Sequence, residues 1–321
     1  MRNFAFGRAQ TVAQAASWAG LVAEAMLAPD GGARSQDLRV VKAGGIDLID
    51  LMKEGLLVPA EVISLGGVPG LDAIAPTPEG GLSIGPMVTL AHLAADPTVR
   101  ERYPALAEAA GESASPQIRA LATIGGNLLQ RPRCWYFRAA EFRCLRKGGG
   151  HCYAISGENQ YHAIFDNRFC AVVHPSTSAT ALVALGAEIE LTGSDGATRR
   201  VALEDFFVGP DTDVQRENDL KSGELVTAVL LPPAAGLRMK QMKLAQKQSF
   251  DWPLADVAVV LDLGPDGACR RASIVLGAAA PAVASARGRG RARGQGYRRC
   301  SRRRGGAGRA RGRNASLRQR L

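Results

Sequence analysis

The sequence predicts an α+β fold, and three observations carry that prediction. Short apolar runs of strand character alternate with stretches of helical i, i+3, i+4 spacing from the N-terminus to about residue 281. Gly-Gly pairs and Gly/Pro turns punctuate these stretches closely. No internal repeat is present, and no run approaches the roughly 18 apolar residues that a membrane-spanning helix needs. With 46% hydrophobic residues in 321, the chain has enough apolar surface for two or three subdomains with cores of their own.

In chain order, a strand is expected around Phe4–Phe6 and an alanine-rich helix from Thr11. The β-branched run LRVVK (38–42) enters the pair Gly44-Gly45, after which apolar residues recur at helical spacing. Residues 61–88 read as short strands between Gly/Pro turns, with a helix starting near Thr89 and more helix over 98–112. SPQIRALATIGGNLLQ ends in a second Gly-Gly turn, at Gly125-Gly126. Residues 131–170 show little periodicity. A helix (SATALVALG), a strand (AEIELTG), a loop through LEDFFVGP and the strand in ELVTAVLLPP follow. From about Arg238 a third unit of strands plus a helix is expected. The expected domains are 1–60, 61–235 with an insertion at 131–172, and a partial unit at 236–286.

Charge is unevenly distributed. Arg287 to Leu321 holds 14 arginines and no acid, so the rest of the chain has 26 basic against 30 acidic residues. The overall charge of +10 therefore belongs to the tail. Such an Arg/Gly segment cannot form a core and is expected to be disordered. It reads as a frameshifted or otherwise aberrant C-terminus, with a phosphate-binding nucleic-acid arm as the competing reading. The N-terminus lacks a basic region followed by an apolar one, so the default localisation is cytoplasmic.

Four of the six cysteines, Cys134, Cys144, Cys152 and Cys170, fall within 37 residues. A reducing compartment disfavours disulfides. The spacing C-x9-C-x7-C-x17-C contains no C-x2-C pair, so standard zinc and ferredoxin patterns fail, and scattered core thiols stay possible. Three points favour a metal cluster. The segment lacks a core pattern of its own, glycines at 148–150 permit tight wrapping, and basic residues from Arg131 to Lys147 can offset thiolate charge. Among the histidines, His162 and His174 flank this segment, while His92 and His151 read as structural or solvated. No catalytic set of paired carboxylates or Ser-His-Asp is evident, so any chemistry belongs to a cofactor.

KAGGIDLI and ATIGGNLL are the polar-ligand candidates, because glycine lets backbone N–H groups approach a phosphate. Neither matches a dinucleotide fingerprint or a P-loop. In order, AGGIDLIDLMKEG, IGPMVTLAHL, ATIGGNLLQ, ENDLKSGELVTAVLLPP and MKLAQKQSFDWPLADVAVVL closely resemble the FAD-binding subunit of the xanthine dehydrogenase family of molybdenum hydroxylases, across roughly residues 1–281.

That resemblance implies the vanillyl-alcohol-oxidase type of FAD-binding fold, with two α/β subdomains and a C-terminal α/β domain that is truncated or aberrant here. It implies that Ala43, Gly44, Gly45, Ile46 and Asp47 hold the FAD pyrophosphate. Thr123, Gly125, Gly126 and Asn127 would lie along the flavin and its phosphates, with Met87 and Thr89 beside the cofactor. Leu225 and Val226 match apolar positions near its rings, Lys243 matches a lysine that contacts it, and Phe250 or Trp252 matches an aromatic over the flavin. Thr177 stands where the family usually has an Asp that bonds FAD. The segment RPRCWYFR…C…C…C also looks like an insertion in a subgroup that includes the aldehyde oxidoreductases. There it binds an additional [4Fe-4S] cluster, which assigns Cys134, Cys144, Cys152 and Cys170 as ligands and leaves Cys269 and Cys300 out.

The expected function is that of an FAD and [4Fe-4S] electron-transfer subunit. Its partners would be a large molybdopterin-binding subunit and a small [2Fe-2S] subunit, and co-export to the periplasm with a signal-bearing partner is allowed. The alternative is a zinc-binding, nucleic-acid-binding protein with a basic tail.

Overall fold

In a computed structural model, the protein is described at residues 1–19, 38–247 and 250–285. The Arg/Gly tail lies outside these residues, as do Cys300 and most of the segment after Ser17.

Three sheets organise the described residues. The first is a parallel sheet of β1 (Ala5–Arg8), β3 (Glu61–Ser64) and β2 (Arg39–Lys42), with β3 in the middle. The sheet therefore runs past residue 60, where the sequence reading placed a boundary. Val40, Val62 and the helix Ile46–Lys53 form a small core beneath it.

The second sheet is antiparallel, in the order β4 (Ile74–Pro76), β5 (Leu82–Ile84), β8 (Glu224–Leu231), β6 (Glu188–Gly193), β7 (Thr198–Ala202). Its central strand β8 is buried at Leu225, Val226, Ala228, Val229 and Leu231, which explains its nearly continuous apolar sequence. The third sheet is antiparallel too, in the order β12 (Ala284–Ser285), β11 (Cys269–Gly277), β10 (Pro253–Leu263), β9 (Leu237–Ala245). The helix Thr177–Leu185 packs against β10 and β11 and against the helix Pro104–Gly111. All nine of its residues are buried, six of them apolar and the other three the small hydroxyl residues Thr177, Ser178 and Thr180.

The helices begin where sequence chemistry says they should. Thr11, Thr89, Ser115 and Ser176 each cap one, their hydroxyls accepting a backbone N–H three residues on. Four expectations differ from the structure. The stretch 98–112 is two helices, Pro97–Arg102 and Pro104–Gly111, because Pro104 has no N–H to continue the first. The second Gly-Gly pair lies inside a short helix, Ile124–Leu128, stabilised by the Thr123 hydroxyl accepting from Gly126 N–H at 3.2 Å. LEDF, expected as loop, is a helical turn, Leu203–Phe206. The C-terminal unit contributes four strands and no helix among the described residues.

The insertion has no sheet of its own. Short helical turns at Trp135–Arg138, Leu145–Lys147 and Tyr153–Ser156 are connected by loops. Phe137, Cys144, Cys134 and Tyr153 pack into the core under the first sheet, so this segment is anchored on the helix Ile46–Lys53.

Candidate cofactor cavity and cysteine pocket

A cavity of about 530 Å³ opens between the first sheet, the second sheet and the edge of the third. Its floor begins at the end of β2, where the chain turns through Ala43, Gly44 and Gly45 into the helix Ile46–Lys53. Gly45 sits at φ 87°, a left-handed conformation that disfavours a side chain. A Cβ at Gly44 would lie 2.0 Å from the carbonyl oxygen of Leu121, so only glycine lets this turn meet the segment that leads into the second glycine pair. No side chain caps the helix Ile46–Lys53, which leaves its first N–H groups and the positive end of its dipole at the cavity.

Against this turn, the wall continues through Thr123, the cap of the helix Ile124–Leu128, and through Gly125, Gly126 and Asn127 within that helix. Asn127 is fixed by the Ser176 hydroxyl at 2.6 Å, and Thr177, beside that serine, lines the cavity as well. Leu225 and Val226 of β8 supply apolar wall. At the mouth stand Lys243, Phe250 and Trp252. The Lys243 ammonium donates to the carbonyls of Glu112 (2.6 Å) and Asp251 (3.2 Å). The Arg133 guanidinium lies over the Trp252 ring, 5.2 Å from its centroid.

Met87 and Thr89 are not on the cavity wall. Thr89 is occupied as a helix cap and bridges to Thr123, Met87 packs in the core under the first subdomain, and their neighbours Pro86 and Leu90 face the space. The wall also contains Arg131, which the sequence reading set against the cysteines, and the stretch Arg216–Asn218, which it did not single out.

Asp47 receives three close donors. Arg138 Nη2 (2.6 Å) and Arg133 Nη2 (2.8 Å) reach its Oδ1, while the backbone N–H of Arg131 donates to its Oδ2 at 2.8 Å. A carboxylate in the first turn would ordinarily repel an anion at the helix start, and these donors neutralise it.

The four cysteines do converge. Cys134, Cys144, Cys152 and Cys170 line one small pocket of about 10 Å³, together with Tyr136, Phe137, Leu145, Arg146, Tyr153 and Val172. All four are free thiols. Burial pushes the Cys134 thiol up to about 11 and the Cys144 thiol up as well. Cys152 is raised chiefly by its hydrogen bond with Cys170, and Cys170 is lowered by that bond and by Arg146. His162 Nε2 lies 3.1 Å from Cys134 Sγ, and burial lowers this imidazole to about 4. The donor set of four sulfurs suits an iron–sulfur cluster. The enclosed volume suits about one water, and among the described residues no group of three or more His, Cys, Asp or Glu is arranged to hold a metal ion. Cys269 is remote from the pocket, on β11, with its Sγ 3.4 Å from the Arg271 carbonyl.

A parallel sheet whose glycine turn opens onto an uncapped helix start, beside a second glycine segment on the same 530 Å³ cavity, suits a phosphorylated cofactor. The chain belongs to the family described as the FAD binding domain in molybdopterin dehydrogenase, which matches residues 4–234. It is 38% identical to the aldehyde oxidoreductase FAD-binding subunit PaoB of Escherichia coli (strain K12) over 240 residues, 74% of either chain. It is 31% identical to the carbon monoxide dehydrogenase medium chain of Afipia carboxidovorans over 237 residues, 73% of this chain and 64% of that one. In three dimensions it is similar to a chain of the reconstituted CO dehydrogenase from Oligotropha carboxidovorans, with a TM-score of 0.61, 26% identity, and 86% of this chain and 75% of that chain covered. These relatives are flavin subunits or medium chains of oxidoreductases. None of the comparisons supports a zinc-binding nucleic-acid protein. Among the described residues no helix is long and apolar enough to cross a membrane.

Proposed function

We propose that this chain carries FAD in the 530 Å³ cavity and serves as the electron-transfer subunit of a molybdenum hydroxylase-type complex. The observation that carries this reading is the convergence of both glycine segments, Thr177, Leu225, Val226 and Lys243 on one cavity wall. The residues fit the group: Gly44–Asp47 would hold the pyrophosphate at the helix start, Thr123–Asn127 would run along the cofactor, and β8 would pack its rings. When bound, FAD supplies reversible electron acceptance and donation. This chain's residues orient it, exclude water from one side and leave the other side open at Phe250 and Trp252. Electrons would arrive from a small [2Fe-2S] subunit, fed by a large molybdopterin-binding subunit, and leave to an external acceptor. No group of the chain itself is assigned a catalytic role.

We further read Cys134, Cys144, Cys152 and Cys170 as ligands of an added [4Fe-4S] cluster with an auxiliary or structural role. The sulfur count supports it. The pocket volume requires the sulfurs to move outward from their positions in this structure. The experiment is to purify the full chain anaerobically, record its visible spectrum and quantify released FAD, iron and acid-labile sulfide. Flavin bands with a broad iron–sulfur shoulder are expected. A colourless protein overturns the flavin reading, and flavin without iron overturns the cluster reading alone.

A further inference from the structure

Cavity and cysteine pocket share one buried carboxylate. Glu217 Oε1 lies 2.6 Å from Arg146 Nη1, and its Oε2 lies 3.1 Å from Arg131 Nε. The two guanidinium side chains are only 2% and 4% exposed, and the carboxylate 9%. The same arginines grip the neighbouring backbone, Arg146 Nη1 donating to the Arg216 carbonyl at 3.2 Å and Arg131 Nη2 to the Gln215 carbonyl at 3.0 Å. Glu217 and Arg131 line the cavity, whereas Arg146 lines the cysteine pocket. Arg131 also donates its backbone N–H to Asp47, in the first turn after Gly45.

We propose that Glu217 is a positioning residue for the cofactor: pinned between Arg131 and Arg146, it holds the Gln215–Asn218 stretch as cavity wall, places a negative charge beside FAD, and makes the cavity depend on Arg146, which does not line it.

The physical ground is the asymmetry of buried ion pairs. One carboxylate compensates two desolvated cations. Removing it takes the principal counter-charge from both, leaving Arg146 with Cys170 and Arg131 with the more distant Asp47, and they recover solvation by moving. Arg131 and Arg146 are also the donors that hold residues 215 and 216, so the wall moves with them. The Arg146 contact is made across 71 residues of sequence, from the insertion to the loop before β8, so it fixes the insertion relative to the cavity. This inference rests on the reading that FAD occupies the cavity.

The test uses the full chain, stripped of flavin and titrated with FAD. Wild-type protein that binds no FAD overturns the cavity reading itself. Given binding, Glu217→Gln should weaken FAD affinity about tenfold, and Arg146→Met, made outside the cavity, by a similar factor. The double variant should bind much as either single variant does, since the two act as a unit. A second readout separates positioning from mere support: Glu217→Gln should move the flavin midpoint potential in the positive direction, because loss of a nearby negative charge favours the reduced form. Glu217→Asp keeps the charge on a shorter arm and should restore the potential. Wild-type affinity and potential in Glu217→Gln overturn the proposal, as does a double variant whose loss is the product of the single losses. If Glu217→Gln does not fold, Arg146→Met, in which Glu217 stays paired with Arg131, decides by the same titration. Unchanged affinity there overturns it.

Discussion

The Arg131–Glu217–Arg146 bridge joins the cofactor cavity to the cysteine pocket, yet the two are built in different ways. The cavity is walled by backbone: glycine turns, uncapped amides and the edge of β8, all fixed by sheets and helices that would form whether or not a ligand were present. The pocket is walled by side chains on loops and single helical turns, and its volume is smaller by a factor of about fifty. A preformed site takes its shape from the fold, and a metal site built on loops takes much of its shape from the metal. The two regions should therefore respond very differently to substitution.

The largest expected effect is at Gly44. Val at this position would set a branched side chain against the Leu121 carbonyl, where even a Cβ comes to 2.0 Å. The two glycine segments would be forced apart. FAD affinity should fall a hundredfold or more, about 3 kcal/mol, while iron content stays at the wild-type level. Isothermal titration with FAD and iron analysis on the same preparation check this. A Gly44→Val protein that binds FAD normally would remove the preformed cavity from the comparison.

The reverse experiment is Cys134→Ser. It should abolish bound iron and acid-labile sulfide and leave FAD affinity within about twofold. The insertion would then rest on the packing of Phe137 and Tyr153, on the Arg133 and Arg138 pairs with Asp47, and on the Arg131 and Arg146 pairs with Glu217. Thermal melting should show a drop of several degrees, consistent with losing a bound group that stabilises only the folded state. Loss of FAD along with iron would show that the two regions form one cooperative unit.

How much of this was legible in the sequence follows from the same contrast. Backbone sites announce themselves, because Gly44-Gly45 and Gly125-Gly126 sit between apolar runs where no other residue could make the approach. Thr177, Leu225, Val226 and Lys243 followed from the order of motifs. Met87 and Thr89 were placed beside the cofactor by the resemblance alone; in the structure the Thr89 hydroxyl caps a helix, Met87 packs partly buried against the core, and their neighbours Pro86 and Leu90 line the cavity. Glu217 gave no signal. In VQREND it reads as one more solvated charge, and only the partners brought by residues 131 and 146 bury it. The Ile46–Lys53 helix could be read from its period, whereas the helical turns of the insertion, three or four residues each, are too short to have one.

The remaining effects concern pH and act on stability rather than on binding, with Asp256 and His174 pulling in opposite directions. Asp256 on β10 is buried against the helix Thr177–Leu185, with Gln241 Nε2 3.2 Å from its Oδ2. Burial raises its pKa to about 7, partly offset by hydrogen bonds from Thr180 and Gln241 and by Lys243. The unfolded carboxyl ionises near 4, so between about 4 and 7 the folded state holds a proton the unfolded state has lost. This group's contribution to stability therefore falls as pH rises, by about 1.4 kcal/mol per unit. His174 meets Phe207 edge to face, with centroids 4.4 Å apart, and is close enough to Arg146 to feel its charge. Burial first, and Arg146 second, lower it to about 3. Below its unfolded value near 6.5 the unfolded state binds the extra proton, so its contribution is lost as pH falls. In wild-type protein the two slopes oppose one another over most of the window, and His162, lowered to about 4 by burial, adds a slope of the same sign as that of His174. Asp256→Asn removes one slope while keeping an acceptor for Gln241. The difference in unfolding free energy between this variant and wild type, measured in urea from pH 4 to 8, should grow in the variant's favour up to about pH 7 and then level off. A difference that stays flat across that range would mean that Asp256 ionises in the folded protein as it does in water.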